Sequence, residues 1–221
     1  MFREILFLDP PRIAELRRIA ATAPFVDGRI TNPHSTVKNN LQLHDQQAYT
    51  RSAEILARAM MGNEEFRNFA FPAAIAPPMM TRYQPGMHYG AHSDAAILTV
   101  AAVGTIRSDL SCTIFLNDPG DYEGGALRMQ LGSAELRFKL PAGHGIVYPS
   151  TTLHEVEPVT RGERLVAISF VQSRIRNAHE REMLYELGEV AALEGLRMER
   201  ENFVRLQLVQ QNLLRHWAEK P

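Results

Sequence analysis

Hydrophobic positions in the first third of the chain recur at helical spacing. Asp9 precedes two prolines, an N-cap and first-turn pattern, and apolar residues then follow every three or four positions up to about Ala21. A second apolar series runs from Ala48 to Met60 in a stretch without Gly or Pro, and it ends at Gly62. The pattern therefore predicts two helices and a first third that is mainly helical.

From about Ala74 the pattern changes to short runs of β-branched and aromatic residues separated by Gly, Pro, Asn and Asp. There are eight such runs: MMTRY, AILTVAAV, SCTIFL, ALRMQL, ELRFKL, GIVYP, LHEVEPV and RLVAISFV. Strands that follow one another without intervening helices favour a jelly roll or barrel over an α/β sheet. The strand pattern ends near Ser173.

Beyond Arg174 helical spacing returns, with charged residues between the apolar positions. Apolar residues recur from Leu184 to Ala191 and again from Phe203 to Leu214, which predicts two helices broken around Gly195. Their apolar faces either complete the β core from outside or form a contact in a homodimer.

Together these patterns predict an α+β chain with a mainly β core. We assign residues 1–73 to an N-terminal helical support region, 74–173 to the β core that contains the chemistry, and 174–221 to a C-terminal helical extension. A chain of 221 residues with 45% hydrophobic content can bury such a core.

Charge and cysteine content narrow the class of protein. The formal net charge is -1 with Lys and Arg scattered along the chain, so the basic footprint of a nucleic-acid-binding protein is missing. The single Cys112 cannot form an intramolecular disulfide, and the start MFREILFL is too short in its apolar run for a signal peptide. No run approaches the roughly 20 apolar residues of a membrane span. We expect a soluble cytoplasmic protein with neither a nucleic-acid nor a membrane partner.

An H-x-D pair, His92 and Asp94, suggests a metal site, because residues i and i+2 of a strand project from one face. His154 lies 60 residues beyond Asp94, in another predicted strand, and can supply a third ligand. Two imidazoles and one carboxylate form the facial triad that leaves open positions on Fe(II). The same ligand types also suit Zn(II).

Ten residues after His154 comes Arg164, which alternates with Val166 and Ile168 and is therefore aimed at one face of an apolar strand. A core-facing arginine needs an anion, and its planar fork matches a carboxylate such as the distal one of a keto-diacid. Taken alone, H-x-D or a strand arginine is more often an ordinary structural feature. Their conjunction on strands of one β-rich segment is what favours a site.

Three further features have structural interpretations. Gly124 and Gly125 fit a tight turn, since glycine tolerates positive φ. His88 would share a face with His92 on a regular strand, and we expect a supporting or surface role for it. Cys112 lies in an apolar strand and is interpreted as a buried core thiol.

Several motifs match a known family. They are R-Y-x-x-G-x-x-Y-x-x-H-x-D from Arg82 to Asp94, TIFLND from Thr113, EGGALRM from Glu123, and H-E-V with G-E-R-L-V-A-I-S-F around His154 and Arg164. With these motifs the chain resembles the 2-oxoglutarate and Fe(II)-dependent oxygenases of the prolyl hydroxylase type, and most closely the bacterial PKHD-type hydroxylases. The resemblance covers roughly residues 74–176.

The resemblance implies a double-stranded β-helix with iron on His92, Asp94 and His154 and the 2-oxoglutarate C5 carboxylate on Arg164. Tyr83 matches a tyrosine that lines the co-substrate pocket in relatives, whereas Phe115 stands where some relatives have a second, hydrogen-bonding tyrosine. Many members also use L-ascorbate to keep the iron reduced.

The implied activity is hydroxylation of a substrate by O2 with release of succinate and CO2. The substrate would be a peptidyl side chain such as proline, or a small molecule, contacted by loops such as 104–109 and 118–125. Two alternatives stay open: a Zn(II)-dependent β-barrel enzyme, which leaves Arg164 unexplained, and a non-catalytic module that senses iron or 2-oxoglutarate.

Overall fold

The computed structural model describes residues 1–100 and 104–219. Within these residues the chain forms five helices: α1 (Pro10–Thr22), α2 (Gln46–Gly62), α3 (Glu64–Ala70), α4 (Ala178–Glu194) and α5 (Arg200–Trp217). Helix α1 begins after the predicted cap, because the Asp9 side chain accepts a hydrogen bond from the Arg12 N–H, and α2 ends at the predicted Gly62. Asp45 caps α2 in the same way, by accepting from the Ala48 N–H, and this cap was not predicted. Helix α3 was not predicted, since its seven residues are too few for a periodic pattern. Throughout the described residues, no helix is long and apolar enough to cross a bilayer.

The strands, numbered in chain order, form two main antiparallel sheets. The large sheet has eight strands: β1 (Arg3–Leu6), β14 (His144–Pro149), β10 (Leu110–Phe115), β17 (Arg164–Ser173), β6 (Met79–Tyr83), β4 (Leu41–Leu43) and β2 (Phe25–Asp27) in spatial order, with β5 (Pro72–Ile75) paired to β17. The five-stranded sheet runs β13 (Ala134–Phe138), β12 (Leu127–Leu131), β15 (His154–Val156), β7 (His88–His92) and β3 (Lys38–Asn39). Two ribbons complete the set: β8 (Ile97–Val100) with β9 (Gly104–Arg107), and β11 (Tyr122–Gly124) with β16 (Val159–Gly162).

This architecture confirms the predicted α+β class with a double-stranded β-helix core and helices at both ends. The first third is less helical than predicted, because β1 to β4 lie within it and join both sheets. Strands of two to four residues are too short to show alternation in the sequence.

The division at residue 74 stays a prediction. The run AILTVAAV forms β8 up to Val100, and its last three residues lie outside the described part of the chain.

The two predicted substrate loops contain regular structure. Residues 104–107 are strand β9, paired with β8 through Ile97↔Arg107 and Leu98↔Ile106, and they are not a loop. Burial of Ile106 accounts for the difference, since an apolar side chain at this position holds the segment against the core. The segment 118–125 contains one 3-10 turn and strand β11.

Strand alternation divides the interior into two hydrophobic clusters. The outer cluster lies between the large sheet and helices α1 to α3, and on β10 it includes Leu110, Cys112 and Ile114. The inner cluster lies between the two sheets and includes Phe115 of the same strand, with Leu127 of the facing sheet. Successive residues of a strand point to opposite faces, so the central strands β6, β10, β14 and β17 contribute to both clusters.

The two tail helices differ in how they are attached. On α4, Leu184 and Tyr185 are buried, and the Tyr185 ring meets Phe69 of α3 edge-on at a centroid distance of 5.3 Å. None of the α5 residues, all of which the structure describes, is buried. The end of α5 is held by a bridge between Ile175 and Ala218.

Candidate functional site

The two histidines of the predicted triad lie opposite each other in the five-stranded sheet. His92 is the last residue of β7 and His154 the first of β15, and the two are direct partners in the ladder between these strands. We predicted Asp94 on the same strand as His92, but it lies two residues past the end of β7, because the ladder ends at His92. One ligand atom from each of the three side chains lies within 4.8 Å of the others.

Backbone contacts set the tautomer of both imidazoles. His92 Nδ1 lies 2.8 Å from the Gly90 carbonyl oxygen, and His154 Nδ1 lies 2.9 Å from the Thr152 carbonyl oxygen. A carbonyl oxygen only accepts hydrogen bonds, so both Nδ1 atoms carry the proton and donate. Each Nε2 therefore keeps its lone pair, which is the form that binds a metal ion.

The Asp94 carboxylate is oriented by a chain of buried serines. Ser111 Oγ donates to Asp94 Oδ2 at 2.5 Å, Ser111 and Ser150 hydroxyls are 2.8 Å apart, and Ser150 and Ser108 hydroxyls are 2.7 Å apart. The Asp94 oxygens lie 3.9 Å from His92 Nε2 and 3.7 Å from His154 Nε2. These last separations are too long for direct hydrogen bonds, so the three side chains converge on one gap that a metal ion can fill.

The surroundings keep His92 neutral. Burial lowers the pKa of His92, and the neighbouring His154 lowers it further. The Tyr89 ring stacks on the His92 ring at a centroid distance of 3.6 Å and covers one of its faces. A neutral imidazole is the state that metal binding requires.

Arg164, the first residue of β17, has a buried guanidinium without a matching anion. The residue is 1% exposed, and among the described residues neither Nε nor Nη1 has a hydrogen-bond partner. Its guanidinium carbon lies 4.9 Å from the Tyr83 ring centroid and 5.5 Å from the Phe115 ring centroid. A buried, unpaired charge is costly, so this position fits a bound carboxylate.

Glycine makes room for this arginine. Gly125 has φ +62°, and a Cβ built there would lie 3.2 Å from Arg164 Cδ and 2.8 Å from a Val159 methyl. A side chain at position 125 would be strained by its backbone conformation and would crowd the guanidinium. The turn predicted at Gly124 and Gly125 thus also shapes the pocket.

Two tyrosines flank the arginine. The Tyr83 hydroxyl accepts a hydrogen bond from Asn40 Nδ2 at 2.9 Å, and burial raises its pKa while the Arg164 charge lowers it. The Tyr122 hydroxyl is buried without a partner among the described residues, and burial raises its pKa as well. Both hydroxyls stay protonated at neutral pH and can donate to an anion.

One inner pocket is lined by His92, Asp94, His154, Tyr83 and Arg164. The structure therefore brings all of the sequence-predicted site residues together.

The side chains we had treated as structural behave accordingly. Cys112 is 1% exposed, and burial raises the pKa of its thiol. The His88 ring contacts the Gly86 carbonyl oxygen at 3.4 Å and does not line the inner pocket.

Sequence reasoning missed several residues of the site: Lys38, Asn40, Ser111, Tyr122, Tyr148 and Ser150. Only Ser111 left a usable signal, because polar Ser111 and Thr113 alternate on an otherwise apolar strand and therefore share its inner face. The others reach the site through pairing between distant strands, which spacing does not reveal.

A second cavity of about 450 Å³ adjoins the first and shares His92 and Asp94 with it. Its wall includes Leu98, Thr99 and Val100 of β8. Neither of the predicted substrate loops, 104–109 and 118–125, lines it.

Comparison with known proteins agrees with this geometry. The family model of the 2OG-Fe(II) oxygenase superfamily matches residues 78–172. A PKHD-type hydroxylase from Sphingopyxis alaskensis is 60% identical over 217 residues, which is 98% of this chain and 99% of the relative. A PKHD-type hydroxylase from Thermosynechococcus vestitus is 43% identical over 216 residues and covers 96% of each chain.

Solved structures support the fold. A prolyl-4-hydroxylase from Pseudomonas putida superposes with a TM-score of 0.55 at 23% identity, covering 77% of this chain and 92% of that one. A prolyl hydroxylase from Trichoplax adhaerens, solved with a peptide of hypoxia inducible factor, gives a TM-score of 0.60 at 15% identity and covers 80% and 86%. At these identities the likeness is one of fold.

Proposed function

This chain belongs to the PKHD-type hydroxylases of the 2OG-Fe(II) oxygenase superfamily, and from that premise we propose that His92, Asp94 and His154 hold its Fe(II) while Arg164 and Tyr83 bind 2-oxoglutarate. The enzyme is a 2-oxoglutarate-dependent dioxygenase that hydroxylates its substrate. When bound, iron supplies the redox chemistry that couples O2 and 2-oxoglutarate to hydroxylation, with release of succinate and CO2.

The observation that supports these assignments most directly is the unpaired Arg164 in the same pocket as the triad. Its Nε and Nη1 lack hydrogen-bond partners among the described residues, so the guanidinium has free N–H donors for a carboxylate. The Tyr83 and Tyr122 hydroxyls flank that position. A pocket with three metal-ligand side chains and a buried arginine fits a keto-diacid that chelates iron at one end and meets Arg164 at the other.

The chain's own residues prepare the metal site. The Gly90 and Thr152 carbonyls orient the two imidazoles, and Ser111 orients the Asp94 carboxylate. Fixed ligands of this kind raise metal affinity without reorganisation. Family membership favours this function over the zinc-enzyme and sensing-module alternatives.

Finer assignments are part of the proposal. We propose L-ascorbate as the reductant that restores Fe(II), because many enzymes of this type use it. The substrate is a peptidyl side chain such as proline or a small molecule. We also propose a cytoplasmic location, supported by the single, buried cysteine, and a homodimer. Six exposed large apolar residues in the tail support the dimer: Val190, Leu193, Leu196, Val204, Leu208 and Val209.

Anaerobic reconstitution tests the metal and co-substrate assignments. Metal-free protein is titrated with Fe(II), then with 2-oxoglutarate, and succinate is measured after O2 is admitted. We expect one Fe(II) per chain and 2-oxoglutarate binding that depends on Arg164. Zinc retained at full occupancy, with no succinate from the Fe(II) form, would contradict the proposal. Adding ascorbate to a second series tests whether it prolongs turnover.

A further inference from the structure

The cavity of about 450 Å³ beside the metal centre has a size suited to a small ligand. It is lined by His92 and Asp94 but not by Arg164, which lines the inner pocket. Apolar side chains such as Met79, Leu98 and Phe170 form much of the remaining wall. A molecule in this cavity therefore meets the metal centre and a largely apolar surface.

Lys38 is the one lysine or arginine among the described residues that line this cavity. It lies on β3, whose partner in the ladder is Tyr89 of β7, and its ammonium lies 5.7 Å from the Tyr89 ring centroid. Because Tyr89 stacks on His92, the pairing of β3 with β7 brings the ammonium close to the candidate metal centre. Lys38 also lines the inner pocket, at the place where the two cavities meet.

The ammonium of Lys38 lacks an ion-pair partner. The residue is 8% exposed, and its Nζ donates to Thr31 Oγ1 at 2.8 Å. No carboxylate of the described chain forms an ion pair with it, and Asp27, whose charge acts on it from further away, is bound by the Arg29 guanidinium. An ammonium has three donors, so a buried lysine with one hydroxyl partner retains capacity for an acceptor.

Burial lowers the pKa of Lys38 to about 8, so the charged form still predominates at neutral pH. A buried cation of this kind is stabilised when an anion enters beside it. Arg164 serves the co-substrate in the proposed function, which leaves Lys38 for a second anionic group.

Resting on that proposed function, we propose that Lys38 binds a carboxylate of the substrate that the enzyme hydroxylates. This substrate is a small organic acid, and its hydrocarbon part lies on the apolar wall of the cavity. The recessed position of Lys38 favours a small molecule, because a residue that is 8% exposed is reached only by a group that enters the cavity.

Matched acid and amide probes test this without turnover. Protein loaded with Zn(II) and saturated with 2-oxoglutarate is titrated with benzoate and benzamide, then with cyclohexanecarboxylate and its amide, and binding is followed by calorimetry and ligand NMR. We expect each acid to bind at least about tenfold more tightly than its amide, because only the acid forms a charge-assisted contact. Equal binding of acids and amides, or no binding of either acid, overturns the proposal.

Three variants assign the effect to Lys38. Lys38→Met should abolish the preference for acids, and Lys38→Arg should retain most of it. Lys139→Met is the matched control, since Lys139 is a half-buried lysine that also lies over a tyrosine ring but is outside both cavities. Acid preference that survives in Lys38→Met contradicts the assignment, and thermal melts check that each variant is folded.

The same titrations separate this proposal from the proposed function. If wild-type protein fails to bind 2-oxoglutarate, the proposed function fails. If 2-oxoglutarate binds normally to wild type and to Lys38→Met while acid preference is absent, only the Lys38 proposal fails. A loss of 2-oxoglutarate affinity in Lys38→Met with acid preference intact would reassign Lys38 to the co-substrate.

Discussion

The outer face of the large sheet packs against helices α1 to α3, whereas its inner face looks into the space between the two sheets. Strand β10 contributes to both: Leu110, Cys112 and Ile114 belong to the outer cluster, and Ser111 and Phe115 point inward. The outer cluster consists of hydrophobic side chains, while the inner side mixes a smaller cluster with charged and hydroxyl groups.

The two faces therefore have different roles. Buried polar atoms without partners in the described chain occur on both sides, but on the inner side they include Arg164 Nε and Nη1, which line the pocket, and the Tyr122 hydroxyl beside them. The outer cluster has the Tyr185 hydroxyl. Unpaired buried groups lower stability, and proteins retain them where a ligand will satisfy them. We infer that packing on the outer face supplies most of the folding free energy. The inner face contributes less stability, because its buried polar groups are kept for binding ligands.

Replacing Asp94 with Ala should have the largest effect on function and almost none on folding. The variant loses a charged ligand, so we expect Fe(II) binding to fail and succinate formation to drop to background. The melting midpoint of the metal-free variant should be unchanged or higher. Metal analysis and succinate assays check this, with Glu135→Ala as the control that removes an exposed carboxylate. Wild-type iron content in Asp94→Ala would refute the ligand assignment.

Leu56→Ala should show the opposite behaviour on the outer face. Leu56 is fully buried in the outer cluster, and its truncation should lower the free energy of unfolding by about 3 kcal/mol. Iron and 2-oxoglutarate affinities of the folded variant should not change. Chemical denaturation measures the first quantity and titration the second. Leu6→Ala, at an exposed position outside the tail, is the control and should change stability by less than about 0.5 kcal/mol.

Arg164→Met should weaken 2-oxoglutarate binding and leave the iron in place. Loss of a buried bidentate contact should raise the apparent KM for 2-oxoglutarate roughly 30- to 100-fold, or about 2–3 kcal/mol. Since the cation is unpaired without co-substrate, the metal-free variant should melt at or above the wild-type midpoint. Arg164→Lys keeps the charge but not the planar guanidinium, so its apparent KM for 2-oxoglutarate should lie between those of the wild type and Arg164→Met. An unchanged KM would mean that another cation is the anchor.

Ser111→Ala should weaken iron binding, less severely than Asp94→Ala, and should leave the other properties of the protein unchanged. Without the Ser111 hydroxyl the Asp94 carboxylate loses its orienting donor, and we expect iron affinity to fall about tenfold. Ser108→Ala is the matched control, because Ser108 contacts Ser150 and not Asp94, and its effect should be much smaller. Competition with a chelator measures both. Equal affinities in the two variants would show that the serine chain does not position the carboxylate.

Removing α5 should have the smallest effect on the fold. A chain ending at Met198 loses no buried residue of α5, although it loses the Arg107 to Glu219 ion pair, so we expect its melting midpoint to fall by only a few degrees. If the tail forms the dimer, light scattering should show the truncated protein as a monomer, at about half the mass of the full-length dimer. A chain ending at Arg176 also loses Leu184 and Tyr185 and should not melt cooperatively. A monomeric full chain would contradict the dimer proposal.

Local pattern alone determined much of the molecule. The start of α1 after Asp9, the end of α2 at Gly62 and the extent of β17 follow from caps, breakers and alternation, which act between residues close in sequence. The motif with His92, Asp94, His154 and Arg164 was also readable, because its spacing and its neighbouring strands are typical of one family. Helix α3 and strands β1 to β4 were missed, since they are too short to show a period.

Only the tertiary structure decided how the site is completed. Strand order and register bring His92 beside His154, place Lys38 next to Tyr89, and let Ser111 reach Asp94. These contacts join strands that are distant in sequence, and their register depends on the packing of both sheets at once. Spacing along one strand therefore predicts which residues share a face. The residues that orient the ligands or add a charge to the site, such as Ser111 and Lys38, reach it only through the pairing and packing of the two sheets.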